Sequence, residues 1–452
     1  MSSILIKNIK EIVAMDNKRN RFKNYDLLIK ENIIAKIASR IKDEAEEVID
    51  GSDYFLFPGL INTHHHFYQT LTRNIPQVQS VELFSWLKYL YPIWARLTPE
   101  AVYYSTQVAM GELLKTGCTT SSDQFYVFPG KWNENLLDGE FEAAKEIGMR
   151  FHGSRGSMSL SEKDGGLPPD SIVQSEEIIL KDSQRIIQKY HNDKPYAMQR
   201  VVLSPCSPFS VTEILMKESI KLAREYHVQS HTHLAETKDE DIFCNDTFSL
   251  RPLDYMQRVG WLGDDVWFAH CVWLNEDEIE RMYRTNTGVA HCPVSNQKLA
   301  SGAANIPFMM KKNVRVGLGV DGSASNDSSN MIAEMRTAFL MHRLVSGISA
   351  MSAEDVLSMA TNGGRDVLNQ PEIGSIEEGK AADMFLVSTK RLGFAGGLSD
   401  AVSALVNSGD SQIVDMTIVN GKIVVRDGRL TNINEENLIE KANQISQKMI
   451  QG

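Results

Sequence analysis

Eight times along the middle of this chain, a short apolar run ends in small or polar residues and gives way to a helical pattern. The runs end near His64–His66, Asp123, Gly153–Arg155, Ser204–Ser207, His231–Glu236, His270, His291 and Asp321. Strands alternating with helices imply a parallel sheet, because the crossover helix returns each strand in the same direction. Eight such units over roughly 250 to 310 residues is the size of a closed barrel. The expected class is therefore α/β, a (β/α)8 TIM-like barrel. No period is regular enough for a solenoid.

The two ends read differently from the middle. Ile4 to Ile37 carries short apolar runs, with Leu27-Leu28-Ile29 and Ile33-Ile34 as strands of a small antiparallel sheet. Near the other end, Met384 to Val387 is a short apolar run. Ile413 to Val419 and Lys422 to Arg426 flank Asn420-Gly421, a two-residue hairpin signal, and Asp427-Gly428 adds a second turn. Two β-rich ends around a long middle predict a composite β-sandwich built from both termini. The expected division is 1–58 for its first part, 59–371 for the barrel, and 372–452 for its second part. The last segment places Leu438, Ile439, Ala442, Ile445 and Met449 on one face of a docked helix. Two connections are long, Phe67 to Thr98 after the first strand and Ser157 to Asp170 after the third; such loops become lids or plain surface loops.

Composition narrows the function classes. Lys plus Arg total 47 against 58 for Asp plus Glu, a formal charge of −11. An acidic chain argues against a duplex nucleic-acid binder, which needs a basic stripe. No run of about 18 apolar residues predicts a membrane span, and the N-terminus has no signal-peptide pattern. Cysteines at 118, 206, 244, 271 and 292 form no disulfide framework and read as small buried residues of a cytoplasmic protein. Met331, Met335 and Met341 read as packing on a helix. No phosphate-cradling Gly-rich loop with a Lys is present.

Six of the 11 histidines fall at strand ends: His64, His66, His231, His233, His270 and His291. In a barrel those ends face the active-site rim. Alternate strand residues share a face, so His64 and His66 point inward together while His65 points away. That spacing makes a two-imidazole half-site, although the triplet also suits a His-rich turn. Within His231-Thr232-His233-Leu234-Ala235-Glu236, one histidine is a third ligand candidate, while the other suits a core hydrogen bond to backbone. Glu236 would sit at the mouth. Three nitrogen ligands leave a position for solvent, as a catalytic zinc site needs. Val314 to Ser323 reads as a buried strand that ends in Asp321, a carboxylate aimed at a metal or an ordinary Asp-Gly turn.

These residues carry a family likeness. Pro58-Gly59-Leu60-Ile61-Asn62-Thr63-His64-His65-His66 resembles the amidohydrolase superfamily in its nucleobase and triazine deaminase branch. So do His233-Leu234-Ala235-Glu236-Thr237, His291-Cys292-Pro293-Val294-Ser295-Asn296 and Gly319-Val320-Asp321-Gly322, and the return at Ile373 to Asp383 is similar. The likeness spans nearly the whole chain. Finer features resemble the 8-oxoguanine deaminase group: His66-Phe67-Tyr68-Gln69, Ser154 to Ser159, Gly165 to Asp170, and Gly322 to Asp327.

The resemblance implies that His64, His66 and His233 hold one divalent ion with Asp321 as fourth ligand. The ion would be zinc or iron, since imidazole suits both. Glu236 would shuttle protons, His270 would polarise the attacked centre, and Asp321 would accept a proton from water. Ser204-Pro205-Cys206-Ser207 offers no lysine to bridge two metals, so one ion is expected, and Trp273 stands where relatives carry His. Gln69, Trp86, Arg155 and Asn296 are the substrate-binding candidates. The expected partner is a small heterocycle, with no nucleic acid and no membrane, and the family implies a homo-oligomer. The expected activity is hydrolytic deamination of 8-oxoguanine, guanine or isocytosine. Alternatives are an s-triazine amino- or chlorohydrolase and an inactive scaffold on the same fold.

Overall fold

The computed structural model describes residues 2–130, 135–409 and 413–452. Eight parallel strands close into a barrel: β1 (Leu60–Asn62), β2 (Cys118–Phe125), β3 (Arg150–Ser157), β4 (Gln199–Pro205), β5 (Gln229–Leu234), β6 (Val266–His270), β7 (Gly288–His291) and β8 (Val316–Leu318). Each ends within about three residues of where the apolar runs were read to end; β1 stops at Asn62 and β8 at Leu318, so His64–His66 and Asp321 stand just past their strands rather than in them. β2 and β3 are buried along their whole length, as strands covered on both faces must be. Several of the crossover helices start at hydroxyl or amide caps. Before α2 (Pro99–Lys115) Thr98 accepts from Ala101 N, elsewhere Thr212 accepts from Leu215 N, and Asn275 forms a capping box with Glu278.

The barrel closes with little backbone pairing, since β8 meets β1 at the single pair Leu318↔Asn62. Backbone bonds just past the strand ends, Thr63 N to Leu318 O and Asp321 N to His64 O at 3.0 Å each, and a buried side chain supply the rest. Asn62 Oδ1 accepts from Val320 N at 2.9 Å while its Nδ2 donates to Ser121 Oγ at 2.9 Å. One buried amide thus ties β1 to both neighbours just below the histidines.

Two further sheets come from the chain ends. One has four strands, with Ser3–Ile9 between Tyr25–Lys30 and Glu47–Asp50. The other has seven, in which Tyr54–Pro58 pairs antiparallel with Met384–Ser388. Ile6, Ile29, Leu56, Leu386 and Ile418 pack in the layer between them, which makes the composite sandwich. The Phe55 to Ile61 run therefore serves two sheets: its first half pairs in the sandwich, its second half opens the barrel. Asn420 and Gly421 both take positive φ, 48° and 78°, as a tight hairpin turn requires.

Two boundaries differ from the sequence reading. The strand expected from Ile413 begins at Met416; residues 410–412 lie outside the described ones, Ile413 is exposed, and Asp415 turns inward to accept from Ser388 N at 2.6 Å. The C-terminal helix α4 (Glu435–Gln451) buries Leu438, Ile445 and Met449 but leaves Ile439 more than half exposed, because the docked stripe is narrower than the apolar one. Met331, Met335 and Met341 are buried on α3 (Met331–Ser346), and the five cysteines are buried and free. Among the described residues no helix is long and apolar enough to cross a membrane.

Candidate metal centre

His64 and His66 leave the end of β1 on the same side, and His65 turns away to contact Ser329 Oγ at 2.9 Å. His233 arrives from β5 and Asp321 follows β8. Their ring nitrogens and carboxylate meet at one point. Asp321 Oδ1 lies 3.2 Å from His64 Nε2 and 3.3 Å from His66 Nε2, and His66 Nε2 lies 3.1 Å from His233 Nε2. All are buried.

The outer hydrogen bonds decide which ring nitrogens are free to ligate. His66 Nδ1 sits 2.9 Å from Gln124 O and His233 Nδ1 sits 2.7 Å from Cys206 O. A carbonyl only accepts, so both rings carry hydrogen on Nδ1 and turn an Nε2 lone pair inward. His231 does the same toward Trp267 O at 3.0 Å, which makes its Nε2 an acceptor for His64 Nδ1 at 2.8 Å. His64 Nε2 is then a lone pair as well, buried and without a hydrogen-bond partner among the described residues. His231 is thus the core histidine that orients a neighbour. Three lone pairs and a carboxylate oxygen facing one point fit a divalent cation, with the second contacts fixing each ring.

His270 is built the other way round. Asn296 Nδ2 donates to its Nδ1 at 3.0 Å, so hydrogen resides on Nε2, which points at Glu236 Oε2, 3.6 Å away. Ligand atoms of His64, His233, His270 and Asp321 all lie within 4.8 Å of one another, yet the tautomer makes His270 a donor into the pocket. His66, not His270, offers the third lone pair.

Electrostatics agree with these roles. Burial pushes His64 and His233 well below the ordinary imidazole range, and His270 down to about 4. Burial alone would raise Asp321, but the hydroxyl and backbone N–H donors around its carboxylate act the other way and favour the charged form, and the carboxylate lies well below its ordinary range. Asp321 is further fixed by Ser295 Oγ at 2.6 Å, Ser325 Oγ at 3.2 Å and Gly322 N at 2.7 Å. Glu236 moves the other way, raised well above the carboxylate range by burial and then by the Asp321 and Glu240 charges. Ala235, His270 and Asp321 all take left-handed φ, at 51°, 70° and 62°. Such conformations are uncommon for non-glycine residues and gather at functional sites.

Above the imidazoles lies a pocket whose wall includes Gln69, Trp86, Tyr91, Tyr126, Cys206, Phe209 and Glu236. The long connection after β1 supplies much of it. Its helix α1 (Leu83–Trp94) presents Leu83, Trp86, Leu87 and Tyr91 on one face. The Ser157–Asp170 connection supplies none of the lining. Gln69 is held by Ala324 N at 3.4 Å, and a side chain at Gly322 would overlap its amide oxygen.

Arg155 does not reach the pocket. Its guanidinium donates to Asp182 Oδ2 at 2.6 Å, Gln174 Oε1 at 2.8 Å and Gly156 O, and stacks over Phe128. A buried ion pair uses the group that a substrate carbonyl was expected to meet. Asn296 likewise sits behind His270 rather than in the lining. His291 faces His342, Nε2 to Nε2 at 3.0 Å, away from the centre, and the Trp273 indole donates to Ser301 O. Ser295, Tyr91 and Cys206 escaped the sequence reading. The spacing of α1 carried a signal for Tyr91, whereas only assembly brings Ser295 to Asp321.

The amidohydrolase family profile matches residues 55–424. The chain is 45% identical over 403 residues to the 8-oxoguanine deaminase of Pseudomonas aeruginosa, covering 89% of each. It is 35% identical to the hydroxydechloroatrazine ethylaminohydrolase of Pseudomonas sp. strain ADP, covering 100% of this chain and 97% of that one. Among solved structures, the zinc complex of atrazine chlorohydrolase TrzN from Arthrobacter aurescens TC1 superposes with a TM-score of 0.94 at 29% identity, covering 98% and 100%.

Proposed function

Because the chain belongs to the amidohydrolase family and is a hydrolase acting on C–N bonds, we propose that it is a deaminase of an amino-substituted oxo-heterocycle, with 8-oxoguanine as substrate. The observation that carries this is the meeting of three inward Nε2 lone pairs, the Asp321 carboxylate, Glu236 and the His270 N–H in one pocket. The 45% identical relative supports the choice of purine.

His64, His66, His233 and Asp321 would hold the ion, which we take to be zinc, as in the triazine hydrolase complex. When bound, such an ion lowers the pKa of water toward neutrality and polarises the substrate. The chain's own groups do the rest. Asp321, fixed by Ser295 and Gly322, accepts the proton of the attacking water at its carboxylate. Glu236 delivers a proton to the ring nitrogen beside the attacked carbon. His270 Nε2–H, oriented by Asn296, donates to the oxygen being added, an oxyanion-type contact. The proton taken by Asp321 passes to the departing nitrogen and the hydroxyl proton of the adduct restores Glu236, so amine plus water gives carbonyl plus ammonia. Gln69 faces the lactam edge. The reading keeps 59–371 as the catalytic barrel and the two ends as its sandwich.

The test is a panel assay on enzyme of measured metal content: 8-oxoguanine, guanine, isocytosine, and amino-, alkylamino- and chloro-s-triazines. Ammonia from 8-oxoguanine at the highest kcat/KM is expected. Chloride or alkylamine from a triazine, with no ammonia from the purines, overturns the proposal in favour of a triazine hydrolase. A protein that retains no added zinc and turns over nothing is a scaffold.

A further inference from the structure

Five tryptophans lie among the described residues, and four of their indole N–H groups have a partner. Trp94 donates to Thr72 Oγ1 at 3.1 Å, Trp261 to Met216 O at 2.8 Å, Trp267 to Thr63 O at 3.2 Å and Trp273 to Ser301 O at 2.9 Å. Trp86 is the exception. Its side chain is 3% exposed and its Nε1 is buried with no hydrogen-bond partner among the described residues. Tyr91, 1% exposed, has its hydroxyl in the same condition. Both sit on the pocket face of α1.

A buried donor left unmet gives up its hydrogen bond to water and gains none in return, and folds rarely leave one beside a pocket without reason. Trp86 is also packed edge-on against Trp94, ring centroids 5.5 Å apart, which fixes its plane. The fold thus holds two polar groups in place without using them.

We propose that the Trp86 indole N–H and the Tyr91 hydroxyl are specificity-determining donors, and that they select heterocycles carrying a ring carbonyl on the edge away from the amine. The inference rests on the deaminase reading, in which the amine-bearing carbon faces Glu236, His270 and Asp321. That orientation leaves the opposite edge of the ring to α1. An indole N–H only donates. Burial, with the Cys206 thiol nearby, holds the Tyr91 phenol well above its ordinary range, so it is protonated and donates too. The indole accepts nothing and so asks for an acceptor oxygen, and the phenol O–H beside it can donate to the same atom. An s-triazine with alkylamino arms would present alkyl groups and further N–H donors there.

The experiment uses metal-loaded enzyme and the variants Trp86→Phe and Tyr91→Phe, which remove only the polar atoms. Ammonia release is measured on 8-oxoguanine and on guanine, which lacks the carbonyl at that edge. Each variant is expected to lower kcat/KM for 8-oxoguanine about tenfold or more, mainly through KM, and to lower guanine by a much smaller factor. The ratio of the two substrates is internal to each preparation, so partial misfolding scales both and does not mimic the effect. Equal losses on both substrates, or no loss on 8-oxoguanine, overturn the proposal and leave the deaminase reading standing. If wild-type enzyme releases ammonia from neither purine, the deaminase reading falls and this inference with it.

Discussion

At the seam between barrel and sandwich, Arg150 and Asp383 are buried with every polar atom engaged. Arg150 meets Asp383 through two bonds, Nε to Oδ2 at 3.0 Å and Nη2 to Oδ1 at 3.1 Å, and donates to Tyr196 O and Ala197 O. Asp383 Oδ1 also accepts from Asn420 N at 2.6 Å. In the pocket, by contrast, His64 Nε2, Trp86 Nε1 and Tyr91 Oη are buried without hydrogen-bond partners among the described residues. The Arg150–Asp383 pair is satisfied within the fold, whereas the open groups of the pocket face a space that a ligand can fill. Substitutions in the two regions should therefore separate stability from activity.

The largest effect belongs to the pocket. Glu236→Gln keeps size and polarity but cannot release a proton, so kcat should fall about 10² to 10⁴-fold. Metal content and thermal midpoint should stay at wild-type values, because Glu236 lies outside the cluster of lone pairs. A near-normal rate in that variant removes Glu236 from the proton path. Loss of metal instead would make it a ligand.

The seam should respond in the opposite sense. Asp383→Ala strands a fully buried guanidinium, and breaking a buried pair from one side costs about 3–5 kcal/mol. Denaturant unfolding would read that loss, while the folded fraction should keep wild-type kcat per bound metal. Removing the orphaned charge as well, as Arg150→Met with Asp383→Ala, should recover much of the stability. A double variant no more stable than the single one would mean that the pair is not the seam's principal tie.

Much of this division was legible in the chain, and the illegible part has a common cause. Apolar runs end at the rim because there the side chains stop packing between strand and helix and polar groups turn toward the pocket, which located all eight strands. His64 and His66 were readable because strand geometry makes alternate residues neighbours. What failed depended on partners far away in sequence. Arg155 resembles a substrate contact until Asp182, on a later helix, neutralises it. His291 looks like a rim ligand until α3 brings His342 beside it. The choice between His66 and His270 as the third lone pair rests on whether a carbonyl or an amide stands behind each ring. No local pattern encodes that.

The smallest expected effect is a pH slope at the seam. His152 is buried beside Arg150 and Arg200, with Nε2 2.8 Å from Gln370 Oε1. Burial lowers it to about 3 from an ordinary 6.5, with the Arg200 and Arg150 charges acting in the same direction. The unfolded chain therefore binds a proton on this ring that the folded chain refuses. Stability from neutral His152 is complete above about pH 6.5 and drains as pH falls toward 3, at up to about 1.4 kcal/mol per pH unit. His152→Gln cannot titrate, so its unfolding free energy should fall less steeply across that window. His191, also lowered mainly by burial, remains in both proteins, so the wild-type minus variant difference isolates His152. Parallel curves for the two proteins would mean that the ring is protonated equally in both states, and the seam would then hold no acid-sensitive group at this position.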